Sequence, residues 1–311
     1  MSQIPNLDLL TQAMLQNAPK TPQEMRALLD GFSPFMNGDL PEVGALHESV
    51  TVGDGMTADV ILPRGAGPHP VLVYLHGGGW VCGSPRTHRK LAYRFAEAGY
   101  LVFNVDYRLA PEHPFPTPFE DCLAAVRFAH REAARFGGDP RRLAIGGDSA
   151  GGNLSAAVAA ALANDPARPK AALLIYGVFD FDLFRGASLA AVVTGGGTPD
   201  PRGAEIGERM VEMMVAAYLG AKGSGRDARV RDPRVSPLAV AAKLPPCHVV
   251  VGSADPLAAQ SEALVKALSA AGVAHEHFVD DGMPHGYAQM EFLPAARPAI
   301  ARMVEFLRKH V

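Results

Sequence analysis

The feature that most constrains the fold of this chain is an alternation of short apolar runs with longer helical stretches. Residues 71–75 are continuously apolar, which is typical of a strand that is covered on both faces. Predicted strands cover residues 46–52, 58–62, 71–75, 100–105, 143–145, 171–176, 247–252 and 274–279. Predicted helices cover residues 86–98, 118–136, 149–163, 203–219, 257–271 and 295–310. This alternation predicts an α/β fold with a mostly parallel sheet and right-handed crossovers.

The N-terminal region lies outside this alternation. Residues 1–40 predict one or two short amphipathic helices. Prolines are expected to interrupt these helices, and they are Pro5, Pro19, Pro22 and Pro34.

A second region, residues 180–235, is too long for a crossover connection in a compact domain. It contains a predicted helix at 203–219 and a stretch rich in Gly, Arg and Asp, whose arginine run at 226–234 is interpreted as a solvated loop. We read the region as an insertion over the sheet. The predicted division of the chain is N-terminal cap helices at 1–45, a sheet domain at 46–179 and 236–311, and a cap insertion at 180–235.

Composition limits the class of partner and the compartment. Of the 311 residues, 48% are hydrophobic, which excludes a disordered chain, and the net charge of −3 gives no electrostatic support for nucleic-acid binding. No apolar run is long enough to predict a membrane span, and the N-terminus has no signal-peptide pattern. The three cysteines fit neither a disulfide framework nor a zinc site. We therefore expect a cytoplasmic protein.

A candidate nucleophile lies between the strand at 143–145 and the helix at 149–163. The segment Gly147-Asp-Ser-Ala-Gly151 has the G-x-S-x-G pattern, in the strand-to-helix context that gives the pattern its meaning. Such a turn strains the serine backbone and directs the hydroxyl away from the sheet edge, at a helix N-terminus. Ser149 is therefore the predicted nucleophile, and the alternative is that Ser149 is merely a helix N-cap.

Three consecutive glycines follow the strand at 71–75, in the segment His76-Gly-Gly-Gly-Trp80. Their N–H groups are unshielded, and preorganised donors of this kind stabilise the anionic tetrahedral species of acyl transfer. We assign a predicted oxyanion hole to the N–H groups of Gly78, Gly79 and Ala150. A phosphate cradle is the alternative, but the chain has no G-x-x-x-x-G-K pattern.

A seryl nucleophile needs a base, and the base needs an acid that orients it. His285 lies just after the last predicted strand and is the candidate base. Asp255 directly follows the strand at 247–252 and is the candidate acid, although it could instead cap the next helix. The rival acids are Asp180, Asp280 and Asp281.

Methionines at helical spacing are candidates for a substrate pocket, and two neighbouring histidines are candidates for a metal site. The methionines at 210, 213 and 214 lie at helical spacing, so they are expected either to be the buried face of a helix or also to line the pocket. His275 and His277 have no third ligand at suitable spacing, so we expect no metal. The predicted pocket residues are Trp80, Met210, Met213 and Met214.

These segments together resemble the bacterial hormone-sensitive-lipase-like (family IV) carboxylesterases of the α/β-hydrolase superfamily. The resemblance covers about residues 70–310, and the order Ser149, Asp255, His285 is the order of that superfamily. The segments that carry it are His76-Gly-Gly-Gly-Trp80, Asp106-Tyr-Arg-Leu-Ala-Pro-Glu-His-Pro-Phe-Pro116, Gly147-Asp-Ser-Ala-Gly-Gly-Asn153, Asp232-Pro-Arg-Val-Ser-Pro-Leu238, Asp255-Pro-Leu257 and His285-Gly286.

The resemblance implies an eight-stranded mixed, mostly parallel sheet flanked by helices, with a helical cap. It implies hydrolysis of esters with short to medium acyl chains through a Ser-His-Asp triad and an acyl-enzyme intermediate. It also implies that no metal or organic cofactor is needed, that the partner is a small-molecule ester, and that a homodimer is possible. It suggests that Arg108 and Glu112 pair to brace the loop after the strand at 100–105.

The chain departs from the family pattern at two places. An acidic pair often follows Asp-Pro-Leu, where this chain has Ala258-Ala-Gln260, and Tyr-Pro is common where it has Tyr176-Gly177. Both departures concern the acid loop and the cap entrance, and hence substrate preference. Two alternative functions stay open: an arylformamidase or other amide hydrolase, because arylformamidases also use a His-Gly-Gly-Gly-Trp loop, and a non-catalytic receptor, although such receptors lose a triad member.

Overall fold

A mixed eight-stranded sheet forms the centre of the computed structural model, which describes residues 18–186 and 201–311. The strands are β1 (Ala45–Gly53), β2 (Met56–Leu62), β3 (His69–Leu75), β4 (Leu101–Asp106), β5 (Gly138–Asp148), β6 (Ala172–Ile175), β7 (Cys247–Gly252) and β8 (His275–Asp280). Their order is β1-β2-β4-β3-β5-β6-β7-β8, in which β1–β2 and β2–β4 are antiparallel and the other pairs parallel. The predicted mostly parallel mixed sheet is confirmed.

Helices follow the strands as the alternation predicts. They are α1 (Pro22–Met36), α2 (Arg89–Glu97), α3 (Thr117–Glu132), α4 (Ala150–Ala161), α5 (Phe181–Gly186), α6 (Pro201–Leu219), α7 (Arg226–Val230), α8 (Ala258–Ala270) and α9 (Ala296–His310). Short 3-10 turns lie at Ala133–Phe136, Pro237–Lys243 and Tyr287–Gln289. Within 18–186 and 201–311, no helix combines the length and the apolar character that crossing a membrane requires.

The apolar run of β3 is explained by its place in the middle of the sheet. Val71, Val73 and Leu75 belong to one buried cluster, whereas Leu72 and Tyr74 belong to a second cluster. Because successive side chains of a strand point to opposite faces, these two clusters lie on opposite sides of the sheet. Both faces are therefore covered, as the run predicts.

β5 is longer than its sequence suggests. The apolar stretch predicts a strand at 143–145, but β5 begins at Gly138, where it pairs with His69 of β3. The early residues are polar, and Asp139 forms ion pairs with Arg141 and Arg142. The start of β5 therefore contains paired charges instead of apolar residues, so a search for apolar runs does not detect it.

The N-terminal prediction is confirmed for one helix and wrong for one of its breaks. Pro22 begins α1 and Thr21 caps it, because the Thr21 hydroxyl accepts a hydrogen bond of 3.2 Å from the Glu24 N–H. Pro34 lies inside the last turn of α1 rather than ending it. Proline removes the hydrogen bond of its own missing N–H, and the helix continues for only two more residues, to Met36. Pro5 lies outside the described residues.

One arginine fixes α1 to the rest of the molecule. Arg26 donates hydrogen bonds to the carbonyl oxygens of Val81 at 2.7 Å and Ala110 at 2.9 Å, and its ion pair with Glu112 is 2.6 Å long. The suggested pair of Arg108 and Glu112 is therefore wrong. The Arg108 guanidinium instead pairs with the Asp121 carboxylate of α3 at 2.6 Å. The same buried carboxylate also accepts a hydrogen bond from the backbone N–H of Arg108.

The arginine run at 226–234 is not the solvated loop that its composition predicts. Arg226 begins α7, is only 2% exposed and pairs with Glu212 of α6 at 2.7 Å. Arg234 pairs with Asp232 at 2.7 Å and lies 4.9 Å from the centre of the Phe115 ring. Arg226 therefore joins α7 to α6, and Arg234 packs its guanidinium against the ring of Phe115. The glycines at 195–197 lie outside the described residues.

Aromatic packing joins α6 to the glycine-rich loop after β3. The ring of Tyr218 stacks on Trp80, with centroids 4.7 Å apart and an interplanar angle of 2°. Both side chains are fully buried. Within the described part of the chain, the Tyr218 hydroxyl has no hydrogen-bond partner, so the ring rather than the hydroxyl carries the interaction.

This geometry predicts different outcomes for two substitutions of Tyr218. Tyr218→Ala removes the stacked ring and should lower the free energy of unfolding by about 3–5 kcal/mol. Tyr218→Phe keeps the ring and removes an unpaired buried hydroxyl, so it should be neutral or slightly stabilising. Urea unfolding of both variants beside the unaltered protein measures the difference. A large loss in Tyr218→Phe would contradict the arrangement.

Candidate active site

Ser149 occupies the sharp turn between β5 and α4. Its backbone has φ 53° and ψ −118°, a left-handed conformation that costs a non-glycine residue about 1–3 kcal/mol. A Cβ atom at Gly151 would overlap the carbonyl oxygen of Leu75, so the motif requires glycine there. Although Ser149 precedes the first residue of α4, its side chain makes no capping hydrogen bond. The N-cap alternative is therefore not supported.

The predicted base and acid lie beside Ser149. The Ser149 hydroxyl is 3.0 Å from Nε2 of His285, and Nδ1 of His285 is 2.9 Å from Oδ2 of Asp255. Oδ1 of Asp255 accepts the N–H of Leu257 at 2.8 Å. Asp255 thus holds the turn before α8 with one oxygen and the imidazole with the other. The N-cap of α8 is Leu257 and no side chain caps it, so the capping alternative for Asp255 is not supported.

The rival acids have other partners. Asp180 accepts the N–H groups of Asp182 and Leu183 at the start of α5. Asp280 pairs with Arg302 at 2.6 Å, and Asp281 accepts a hydrogen bond from the Ser253 hydroxyl at 3.2 Å. The structure therefore brings Asp255, and none of these three, to His285.

The environment of His285 shifts its protonation equilibrium. Burial acts to lower the pKa of His285, because it disfavours the charged imidazolium. The charge and the hydrogen bond of Asp255, together with the charge of Asp148, act in the opposite sense and raise the pKa above its ordinary value of 6.5. Asp255 is buried, so its charge is little screened by solvent.

The glycine-rich loop presents free backbone donors next to this triad of side chains. Gly78 and Gly79 have φ values of 122° and 59°, and a Cβ at Gly78 would overlap the carbonyl oxygen of Cys82. Among the residues that the structure describes, no acceptor binds the N–H group of either glycine. Ala150 is the first residue of α4 and borders the same cavity. All three residues line the same cavity as Ser149, and the oxyanion hole at their N–H groups stays a prediction.

A cavity of about 290 Å³ opens at Ser149. Trp80, Met210 and Met214 line it as predicted, but Met213 does not. Met210 and Met214 share one face of α6, being four residues apart, whereas Met213 is turned about 100° from Met214 and packs against the main core. Helical spacing alone could not separate these methionines.

The opposite wall of the cavity comes from α1. Its lining residues there are Met25, Leu28, Leu29, Phe32 and Met36. The sequence predicts that the N-terminal helices join the cap, but it does not single out any of these residues. Their spacing of three and four residues on one helix is the signal that identifies such a face.

The structure shows which contacts are made at the two places where the chain departs from the family pattern. Oε1 of Gln260 accepts the N–H groups of Phe179 and Asp180 at 2.8 Å each, and Nε2 donates to the Asp180 carbonyl oxygen. An uncharged side chain thus ties α8 to the segment after β6. At Gly177, a Cβ would approach the ring of Phe179 at 2.7 Å, so a larger residue would require that ring to move.

Comparison with known proteins agrees with this geometry. Residues 72–289 match the family described as the alpha/beta hydrolase fold. The chain is 37% identical over 262 residues to the carboxylic ester hydrolase LipN of Mycobacterium tuberculosis, covering 80% of this chain and 65% of LipN. It is 32% identical to an ethyl acetate hydrolase of Pseudomonas putida, over 93% of this chain and 90% of that protein.

A solved structure gives the same result. An esterase described as belonging to the bacterial hormone-sensitive lipase family has a TM-score of 0.78 and 35% identity, covering 100% of this chain and 99% of the other. The chain therefore belongs to the alpha/beta hydrolase family. Within it, the predicted resemblance to the bacterial hormone-sensitive-lipase-like carboxylesterases is confirmed.

The raised pKa of His285 predicts the pH dependence of hydrolysis. The base must be neutral, so kcat/KM for p-nitrophenyl acetate should rise with pH, and the midpoint should lie above about 6.5. Asp255→Asn removes the charge that raises this pKa, so its midpoint should move to lower pH and its rate should fall. A pH-independent profile from about pH 5 to about pH 9 would contradict His285 as the base.

Proposed function

We propose that the protein is a serine carboxylesterase that hydrolyses esters with short to medium acyl chains. The observation that carries the proposal is the continuous hydrogen-bond chain from Ser149 through His285 to Asp255, with contacts of 3.0 and 2.9 Å. A hydroxyl, an imidazole and a buried carboxylate in this order form the arrangement that activates a seryl nucleophile.

In the first step, His285 accepts the hydroxyl proton while Ser149 Oγ attacks the ester carbonyl carbon. The carbonyl oxygen becomes an anion, which the N–H groups of Gly78, Gly79 and Ala150 stabilise. The tetrahedral species collapses when the bond to the alcohol oxygen breaks. His285 then returns its proton to that oxygen, so the alcohol leaves neutral and the acyl group stays on the serine.

In the second step, water replaces the alcohol. His285 removes a proton from the water as it attacks the acyl carbonyl carbon, and the same N–H groups stabilise the second oxyanion. The bond to Ser149 Oγ breaks, and the serine recovers the proton from His285. Asp255 remains ionised throughout, holding the imidazole in orientation and stabilising its charged form.

The cavity supports small, uncharged acyl groups. Its volume of about 290 Å³ is at the lower end of the roughly 300–1,000 Å³ typical of small-ligand sites. The walls from α1 and α6 are methionines, leucines and a phenylalanine, with no Lys or Arg among the lining residues that the structure describes. These walls support the division into a cap at 1–45 and 180–235 and a catalytic domain at 46–179 and 236–311.

Replacement of the nucleophile tests the proposal directly. Ser149→Ala should abolish hydrolysis of p-nitrophenyl acetate and butyrate, and labelling by a fluorophosphonate. Ser155→Ala is the matched control, because Ser155 lies on the helix that follows Ser149, is fully buried, and its hydroxyl has no partner within the described residues. Unchanged turnover in Ser149→Ala would refute the assignment. Rates on phenyl acetate and N-formylkynurenine then separate an esterase from a formamidase.

A series of acyl chains from C2 to C12 tests the size limit. Each buried methylene contributes about 0.8 kcal/mol, or roughly a four-fold gain in kcat/KM, until the cavity is full, after which the rate should fall. Met210→Ala enlarges the cavity and should shift the optimum to longer chains. Met213→Ala is the control, since Met213 does not line the cavity. Equal shifts in both variants would contradict the assigned wall.

A further inference from the structure

A buried carboxylate that the mechanism does not use lies directly before the nucleophile. Asp148 is 1% exposed, and its oxygens bind groups from three parts of the chain. Oδ1 accepts hydrogen bonds from the Tyr74 hydroxyl at 2.7 Å and from the Gly77 N–H at 3.1 Å. Oδ2 accepts a hydrogen bond of 2.8 Å from Nε2 of Gln289. One carboxylate thus joins the glycine-rich loop to the segment after His285.

Gln289 ends the turn segment 284–289, which carries the base. In this segment the Tyr287 N–H donates to the Pro284 carbonyl oxygen at 3.3 Å, across His285, and the 3-10 turn Tyr287–Gln289 follows. The N–H of Gln289 donates to the Gly286 carbonyl oxygen at 3.1 Å, which closes the turn onto the residue after His285. At the other side of this turn, the Tyr287 hydroxyl binds Asp280 of β8. The turn is therefore fixed at two places, to β8 through Tyr287 and to Asp148 through Gln289.

The amide nitrogen of Gln289 has a second buried neighbour. It lies 2.8 Å from Nε2 of His88, whose Nδ1 is 2.8 Å from the Thr87 hydroxyl. The Gly77 N–H is also 3.2 Å from Nε2 of His88. Gln289 and Gly77 therefore meet the same two groups, Asp148 and His88, at one buried point. An amide at this point can reach both, whereas an apolar side chain would leave Asp148 with one donor fewer.

We propose that Gln289 is a positioning residue that couples the turn carrying His285, through Asp148, to the glycine-rich loop and to Ser149. The inference rests on the proposed function. Without this amide, the turn could shift while its anchor to β8 stayed intact. A displacement of about 1 Å between base and nucleophile can reduce a rate by about a hundred-fold, so a weak structural change at Gln289 should give a large kinetic effect.

Asp148 also acts on His285 through its charge, which contributes to the raised pKa of the imidazole. Burial alone would raise the pKa of Asp148. The contacts of Asp148 with His88 and Tyr74 outweigh burial and lower its pKa, so the carboxylate is charged near neutral pH. The titratable groups that face Asp148 are Tyr74, His76, His88, Tyr107, Tyr176 and His285.

Gln289→Met tests the coupling, because it keeps the length of the side chain and removes the donor. We expect kcat for p-nitrophenyl butyrate to fall at least about ten-fold, with KM changed less than about two-fold. Gln260→Met is the control, since it makes the same substitution at a buried glutamine that binds only backbone groups away from Asp148. It should lower the thermal midpoint with a much smaller effect on kcat.

A double-mutant cycle with Asp148→Asn separates positioning from general stability. If Gln289 acts through Asp148, Gln289→Met should lower kcat by less than about two-fold further in the Asp148→Asn background. Asp148→Asn itself should move the acid limb of the pH profile to lower pH, whereas a purely structural loss would leave that limb in place. Additive losses of kcat would overturn the proposed path.

If the methionine variant does not fold, Gln289→Asn tests the same coupling, because its side chain is one methylene too short for the amide to reach Asp148. Circular dichroism at the assay temperature establishes folding for each variant. Full kcat in either folded variant would overturn the coupling while leaving the esterase proposal intact. Absence of ester turnover in the unaltered protein would instead overturn the proposed function.

Discussion

The arrangement of the site depends on a contact between two stretches of backbone. The first turn of α4 passes so close to the end of β3 that a Cβ at Gly147 or Gly151 would overlap the carbonyl oxygen of Leu75. β3 and β5 are neighbouring parallel strands, so both chain segments leave the sheet at the same edge. The nucleophile proposed at the end of β5 and the oxyanion donors proposed at the end of β3 are therefore positioned by one interaction, which leaves no room for side chains.

The cap is coupled to this same point from two directions. Arg26 of α1 binds the carbonyl oxygen of Val81, which directly follows the glycine-rich loop, and Tyr218 of α6 stacks on Trp80 within it. The guanidinium is a planar fork with fixed donor directions, so α1 has little freedom to slide along the loop. We expect a substrate too large for the cavity to displace one of these helices, and we expect that displacement to act on the proposed oxyanion donors. Substrate size and catalytic geometry are consequently linked.

The parts of the molecule that the sequence predicts are those with local causes. Hydrophobic periodicity predicts the sheet and its helices, and glycine spacing predicts the turns at Ser149 and at Gly78, because each signal lies within a few residues of the structure it produces. Partners across long sequence separations are different. The family resemblance suggested Glu112 as the partner of Arg108, yet the structure pairs Glu112 with Arg26, and nothing near Gln289 in the sequence indicates Asp148 as its partner.

The missing acidic pair after Asp255-Pro-Leu257 now has a physical interpretation. Gln260 uses its amide to hold Phe179 and Asp180, so the loop before α8 is fixed without additional negative charge. The carboxylates that act on His285 are then Asp255, by contact, and Asp148, at greater distance. Because Asp148 binds the Gly77 N–H on one side and Gln289 on the other, the charge that raises the pKa of His285 also holds the loop that carries two of the proposed oxyanion donors. Under the proposed mechanism, electrostatic support of the base and alignment of the site share one buried carboxylate.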